Sequence, residues 1–255
     1  MRVNVVSDVH GSIEALARAG DGADVLVCLG DLVLFLDYQD SSGGIFAQLF
    51  GAANAEHLVA LRTGRQFDDA RVFSRGLWGA LEGDPREILQ RAVRAQYRDL
   101  FAAMPEPAYL TYGNVDLPAM WPEFLKPRHT VLDGQTVNIG SRSWGFVGGG
   151  LQTPMRTPYE IDDQTYAAKV AAVGAVDVLA CHIPPDVPGL LYDVQARRFE
   201  RGSAAVLDAI RDTSPGLVLF GHVHQPLRSR TRIGRTECVN VGHFRGSGTP
   251  FALEY

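Results

Sequence analysis

Seven side chains able to hold a metal cation recur at one kind of place in the sequence, directly after short apolar runs. Asp8 and His10 follow Val3–Val6 in the string Asp8-Val9-His10-Gly11, and Asp31 follows Val25–Leu29 in Gly30-Asp31. Asn114 follows Ala108–Tyr112 in Gly113-Asn114-Val115-Asp116, and His182 follows Val176–Ala180. His222 and His224 follow Leu217–Phe220 in Gly221-His222-Val223-His224. Each piece alone has a bland explanation. An aspartate at a strand end is more often a cap or turn residue, a lone histidine is more often a surface or satisfied core residue, and Asn after Gly is usually a turn. The series argues otherwise. Parallel strands share the edge at which their C-terminal ends meet, so these side chains converge if the runs are such strands. Carboxylates, imidazoles and an amide oxygen gathered there repel or strand one another unless a cation lies between them.

The elements that must position them follow from periodicity and length. The apolar runs Val3–Val6, Val25–Leu29, Ala108–Tyr112, Thr136–Ile139, Trp144–Val147, Val176–Ala180, Leu217–Phe220, Thr236–Val241 and Phe251–Leu253 have strand lengths. Ser12–Ala19, Gln164–Val173 and Ser203–Arg211 read as helices between them. Strand, helix, strand in alternation predicts an α/β fold with helices covering the sheet faces. Residues 32 to 107 break the rhythm with helical periodicity and no convincing strand. The clearest helix there starts at Asp84-Pro85-Arg86-Glu87, where Asp84 caps, Pro85 suits the first turn and Glu87 completes a capping box. Ile88, Leu89, Ala92, Val93, Leu100 and Phe101 then make its apolar stripe. We read 32–107 as a helical insertion or cap within a single domain spanning 1–255.

Composition narrows the class. The 255 residues are 46% hydrophobic and 21% charged, ordinary for a globular protein. A net charge of −5 disfavours a general nucleic-acid binder, which needs a basic face. The three cysteines, Cys28, Cys181 and Cys238, are widely spaced in apolar runs and read as buried thiols. The chain enters an apolar run at once, with no secretory leader. No apolar stretch reaches the roughly 18 residues of a membrane span. A cytoplasmic location is the expectation.

The ordered series resembles the calcineurin-like metallophosphoesterase superfamily, whose pattern runs D-x-H, G-D, G-N-H-D, H and G-H-x-H. The likeness extends from Asp8 to His224, and the segment from Cys181-His182-Ile183-Pro184-Pro185 through Arg201-Gly202-Ser203 to His224 is similar to a common subgroup. The resemblance implies a layered α-β-β-α sandwich and two divalent metal ions. One ion would be held by Asp8, His10, Asp31 and His224, the other by Asp31, Asn114, His182 and His222, with Asp31 bridging. Asp31, Asn114 and His222 also carry the catalytic assignment. A hydroxide bridging the ions would attack the phosphoryl group, since metal binding can lower a water pKa to about 7. Mixed nitrogen and oxygen ligands suit Mn, Fe or Zn better than Ca, and Mn is the family's common choice.

This sequence departs from the pattern at Val115, where the family carries a histidine that contacts the phosphate and helps protonate the leaving group. Losing such an acid typically costs ~10²–10⁴-fold. The departure moves the expected substrate from phosphomonoesters towards phosphodiesters. His57, His129 and His243 are the candidate replacements, His243 foremost because it closely follows Thr236–Val241. Arg197, Arg198 and Arg201 could hold a phosphate or could be a solvated loop face; Arg142, Arg156 and Lys126 are weaker candidates. Tyr38, Trp121, Tyr159 and Tyr192 could stack a base or simply pack loops. Asp116 is expected to orient a ligand. The partner is a small phosphate ester, which a nucleotide would satisfy; oligomeric state is not legible. Two alternatives stand beside the enzyme: a metal-dependent interaction scaffold with little turnover, and a protein phosphatase.

Overall fold

The computed structural model describes all 255 residues. Two sheets form its centre. The first contains β1 (Arg2–Val6), β2 (Val25–Cys28), β3 (Ala108–Leu110), β4 (His129–Val131) and β15 (Phe251–Glu254), ordered β15-β1-β2-β3-β4. The second contains β5 (Gln135–Ile139), β6 (Arg142–Val147), β9 (Val178–Cys181), β12 (Leu217–Phe220), β13 (Arg230–Ile233) and β14 (Thr236–Asn240), ordered β13-β14-β12-β9-β6-β5. Strands β1 to β4 run parallel, as do β6, β9, β12 and β14; β15, β13 and β5 are antiparallel edges.

Period-two patterning explains how the sheets stack. Val3 and Val5 of β1, Val25 and Val27 of β2, Val178 and Ala180 of β9, and Leu217 and Leu219 of β12 all enter one cluster between the sheets, with Trp144 and Phe146. The alternate residues face outward. Val6, Leu26 and Cys28 pack beneath helices α1 (Ile13–Ala17) and α5 (Pro85–Ala103). Leu179, Val218 and Phe220 pack beneath α6 (Asp163–Val173) and α8 (Ala204–Thr213). Helix, sheet, sheet, helix is therefore the layer order, and the buried parallel strands read as near-continuous apolar runs because both faces are covered. All three cysteines are buried free thiols.

Between β2 and β3 lie α2 (Gly44–Phe50), α3 (Ala52–Thr63), α4 (Phe67–Gly79) and α5, with no strand. Asp84 caps α5 by accepting from the Arg86 amide, although the reciprocal bond from Glu87 is not formed. Val93, Leu100 and Phe101 bury the expected stripe against the first sheet, joined by Tyr97. Helices α2 to α4 instead share a small cluster of six buried residues. Two-stranded ribbons, β7 (Gly150–Leu151) with β8 (Glu160–Ile161) and β10 (Tyr192–Asp193) with β11 (Arg198–Phe199), sit in the loops after β6 and β9. Helices α7 (Pro188–Leu191) and α9 (Phe244–Ser247) are single turns. The sequence carries no warning of the ribbons or of edge strands β4 and β13, which are too short or too polar for a periodic signal. No helix is long and apolar enough to cross a membrane.

Candidate metal centre

The parallel registers align the C-terminal ends of β1, β2 and β3 in one sheet and of β9 and β12 in the other, so the loops leaving them meet at one edge. All seven sequence-predicted residues arrive there. Asp8 and His10 follow β1, Asp31 follows β2, Asn114 follows β3, His182 follows β9, and His222 and His224 follow β12. Asp8, His10, Asp31, Asn114 and His182 are buried, His222 is half-buried, and His224 is the most open. Asp8, His10, Asp31 and His222 adopt φ of 57°, 41°, 55° and 69°. Such conformations cost non-glycine residues about 1–3 kcal/mol each and persist where surroundings over-determine them. The same crowding fixes two glycines: a Cβ on Gly113 would run into the Asp31 carboxylate, and one on Gly221 into Ser7 and Asp8.

The donor atoms face one another in two overlapping groups. His10 Nε2 lies 3.3 Å from His224 Nε2, and His224 Nε2 lies 3.4 Å from Asp8 Oδ1. Asp31 Oδ2 stands 3.8 Å from His10 Nε2 and 3.4 Å from His182 Nε2. Asn114 Oδ1 is 3.0 Å from both His182 Nε2 and His222 Nδ1. Ligands about 2.1 Å from one ion lie roughly 3.0–3.4 Å apart in common geometries, so these spacings suit the edges of coordination shells. Asp8 Oδ1 is buried without any hydrogen-bond partner. That orphaned oxygen and the facing imidazole nitrogens are an arrangement that cations would satisfy.

Remote backbone selects which nitrogen His10 and His182 present. His10 Nδ1 is 3.1 Å from the Val33 carbonyl and His182 Nδ1 is 2.9 Å from the Leu29 carbonyl. A carbonyl accepts only from an N–H, so Nε2 keeps the lone pair towards the site. Asn114 Nδ2 donates to Thr157 Oγ1 at 3.0 Å, which turns its amide oxygen inward. The buried Asp116 carboxylate accepts from the amides of Asp31, Leu32 and Gly113 at 2.8, 3.0 and 2.8 Å. It thereby ties the Asp31 and Asn114 loops together, the orienting role expected for it. Burial, with the Asp31 charge, raises its carboxyl to about 6.

Electrostatics keep the Asp8 and Asp31 carboxylates ionised. Burial opposes ionisation of Asp8, but the adjacent imidazole of His224, with His182 and His10, holds its carboxyl well below the usual range. Asp31 is lowered against its burial by the charge and hydrogen bond of His182. Burial keeps His10 and His222 below the ordinary histidine value. His182, despite its burial, is raised to about 9 by Asp31 and Asp8.

Only one of the three replacement histidines reaches the site. His57 is exposed on α3 beside Phe73. His129 pairs with Ala108 at the opposite end of the first sheet and faces Pro105 and Lys126. His243 lies against the site, its ring stacked on His224 with centroids 4.0 Å apart and planes 2° from parallel. His10, His224 and His243 offer nitrogens within 4.8 Å of one another. They nevertheless make a poor triad, because an ion lies near the plane of each imidazole it binds, and two stacked parallel planes share no point. His243 instead fixes the plane of His224. Burial, with His224 beside it, lowers His243 to about 4. At neutral pH it is therefore no imidazolium acid.

Several loop candidates have structural partners. Trp121 is fully buried among Tyr97, Phe101 and Tyr112. Lys126 donates to the Ala102 and Met104 carbonyls, and Arg142 covers Tyr255, both away from the site. Arg198 pairs with Glu200, and Arg201 bonds the Gln152 carbonyl and Asp163. Arg156 and Arg197 make no ion pair or hydrogen bond through their guanidinium groups. Tyr159 bonds Asp133 and Lys169, and Tyr192 packs on Phe199. Tyr38 contacts Arg62 and Met155. Sequence reasoning missed Thr157 and also Arg245, which donates to the His10 carbonyl and pairs with Asp37. Arg245 follows β14 by a few residues, as the other site residues follow their strands, and that position was the available signal.

Known proteins agree with this architecture. A family model described as calcineurin-like phosphoesterase matches residues 1–226. One solved structure is 14% identical, with a TM-score of 0.59 over 95% of this chain and 91% of its own. TT1561 of Thermus thermophilus is 15% identical, with a TM-score of 0.53 over 99% of this chain and 98% of its own. At such identities the likeness speaks for the fold alone. A search of curated proteins returns no match.

Proposed function

The chain belongs to the calcineurin-like phosphoesterase family, and on that premise we propose that it hydrolyses phosphate diesters at the strand-end site with two divalent ions. The family's chemistry is metal-dependent hydrolysis of phosphate esters, and its members generally use a binuclear divalent centre. In this reading Asp8, His10, Asp31 and His224 hold one ion. Asp31, Asn114, His182 and His222 hold the other. The observation that carries the reading is the placement of Asp31 Oδ2 between His10 Nε2 and His182 Nε2, at 3.8 and 3.4 Å, which lets one oxygen serve both groups. Mn is the leading choice of metal, with Fe and Zn next, because the donors are mixed nitrogen and oxygen.

When bound, such ions supply a water of lowered pKa and neutralise charge on the phosphoryl oxygens. The chain's own residues do the rest. Asp31, the shared ligand, together with Asn114 and His222, would hold the ions that bring the phosphoryl group and the attacking water together. Asp116 and Thr157 hold Asp31 and Asn114 in register. Val115 donates its backbone amide to Asp31 Oδ1 at 2.9 Å, but its side chain has no proton to give. That absence disfavours alkyl monoesters, whose departing alkoxide needs an acid, and favours diesters with a leaving group that departs unprotonated. Residues 32–107 act in this reading as a cap within one domain, and the three free thiols accord with a reducing, cytoplasmic setting.

The test is hydrolysis of bis-p-nitrophenyl phosphate with Mn, against p-nitrophenyl phosphate and a phosphopeptide. Turnover of the diester above the two monoesters is expected. Two bound ions with no turnover of any of these would instead make the protein a metal-dependent scaffold.

A further inference from the structure

Asn114 can hold an ion only through its amide oxygen, because the NH2 end donates and does not accept. The two ends of that amide are nearly the same size and shape, so packing alone does not choose between them. The backbone beneath is already fixed. The Tyr159 amide donates to the Asn114 carbonyl at 2.8 Å, and a Cβ on Gly150 would stand 2.4 Å from the Asn114 Cβ. What remains to be decided is which end of the side chain turns towards His182 and His222.

Thr157 meets the outer end, but a hydroxyl by itself does not decide the matter. It can donate or accept, so it would pair as readily with an amide oxygen turned outward. The decision is made one residue further from the site. The chain from Thr153 to Thr157 wraps the carboxylate of Glu160, which opens β8 and pairs with Gly150 of β7. Glu160 Oε1 accepts from the Thr157 amide at 3.0 Å, the Thr157 hydroxyl at 2.8 Å and the Thr153 hydroxyl at 2.7 Å. Its Oε2 accepts from the Thr153 amide at 2.7 Å. A carboxylate accepts and does not donate. The single hydroxyl proton of Thr157 is therefore spent on Glu160, and Oγ1 turns only lone pairs to Asn114. The partner it then requires is the NH2 end, which stands 3.0 Å away.

We propose that Glu160 is a positioning residue for the metal centre. By holding Thr157 as an acceptor, its carboxylate forces the Asn114 NH2 outward and leaves the Asn114 oxygen facing His182 Nε2 and His222 Nδ1, 3.0 Å from each. A reversed amide would present N–H groups where an ion has to lie. Glu160 makes no contact with any of the seven donor side chains and acts through Thr157 alone. This rests on the two-ion reading above, in which Asn114 is a ligand.

Calorimetric titration of the metal-free protein with Mn compares wild type with Glu160→Gln, Thr157→Val and Thr157→Ser. The glutamine side chain can donate to Thr157, which lets the hydroxyl turn and the Asn114 amide reverse. Glu160→Gln and Thr157→Val should each weaken one of the two ion sites about 10–100-fold. Thr157→Ser keeps the hydroxyl and should match wild type. Asn114→Asp has oxygen at both ends and no orientation to fix, so in that background Glu160→Gln should shift the same Kd by less than about twofold. An unchanged Kd on Glu160→Gln alone overturns the proposal. So does an equal loss in the two backgrounds, because a loop that is merely loosened weakens either side chain alike. A second measurement needs no metal. In NMR spectra of the metal-free protein, the Asn114 NH2 should show Overhauser contacts to the Thr157 side chain, and Glu160→Gln should weaken them. Contacts of undiminished strength in Glu160→Gln overturn the proposal whatever the titration shows. Wild type that takes up only one ion overturns the two-ion reading instead, and the Overhauser contacts still judge what Glu160 does to the amide.

Discussion

The strand-end edge and the helices α2 to α4 are built on opposite terms. At the edge, Asp8, His10, Asp31 and His222 are held at positive φ above two sheets whose shared interior is a cluster of 15 buried residues. In α2 to α4, a cluster of only six buried residues joins the helices, and one face of α4 presents arginines to an open cavity. The edge has side chains pinned by carbonyls, amides and close-packed glycines. The helices carry exposed arginines on a lightly packed base. Groups that must sit within fractions of an ångström belong on the rigid elements, while a segment with few buried contacts opens locally at lower cost.

Breaking the edge should have the largest effect. Asp31→Ala removes the oxygen that both donor groups share. Metal analysis should find neither ion retained, with diester turnover at background; two retained ions would refute the sharing. Loosening the helices should act differently. Leu58→Ala deletes a side chain from the six-residue cluster and should lower stability by about 2–5 kcal/mol in urea unfolding. Metal stoichiometry should remain unchanged. If Leu58→Ala also costs metal, the two regions are not separable in the way described.

Sharpening the comparison takes smaller changes. Val115→His places an imidazole beside Asn114 and should raise turnover of an alkyl monoester such as glycerol 3-phosphate, whose alkoxide needs an acid, by up to ~10². Unchanged monoester turnover would show that acid help is not what the site lacks. The smallest effect concerns His129, at the end of the first sheet away from both regions. Burial lowers its pKa, so the unfolded chain binds its proton first. Its contribution to stability is complete above the unfolded value of about 6.5 and is lost as pH falls below it, towards the lower folded value. His129→Gln should therefore lose less stability than wild type between pH 7 and pH 5, read as the urea midpoint. Metal binding near neutrality should not move.

Much of the molecule was legible in the residues. The principal strands lie within one or two residues of their apolar runs, because buried parallel strands need such runs whatever they pack against. The convergence of Asp8, Asp31, Asn114 and the histidines was legible because they end strands that turned out parallel. Residues 32 to 107 were legible as helical but not as several helices, since α2 and α3 lack a clear stripe. Thr157 could not be found, because its role depends on a loop that folds back onto Asn114. His243 was found by position but misjudged in role: nearness to a strand end says that a ring reaches the site, not that it lies flat on His224.

The sequence by itself determined which chemical groups end the strands, and with them the metal-binding character of the edge, because strand patterning and turn residues are local. Only the tertiary structure decided which nitrogen His10 and His182 present and which oxygen of Asp31 stands between the groups. Those choices are made by the Val33 and Leu29 carbonyls, the Val115 amide and the Asp116 carboxylate, which lie far along the chain and become neighbours only when the sheets close.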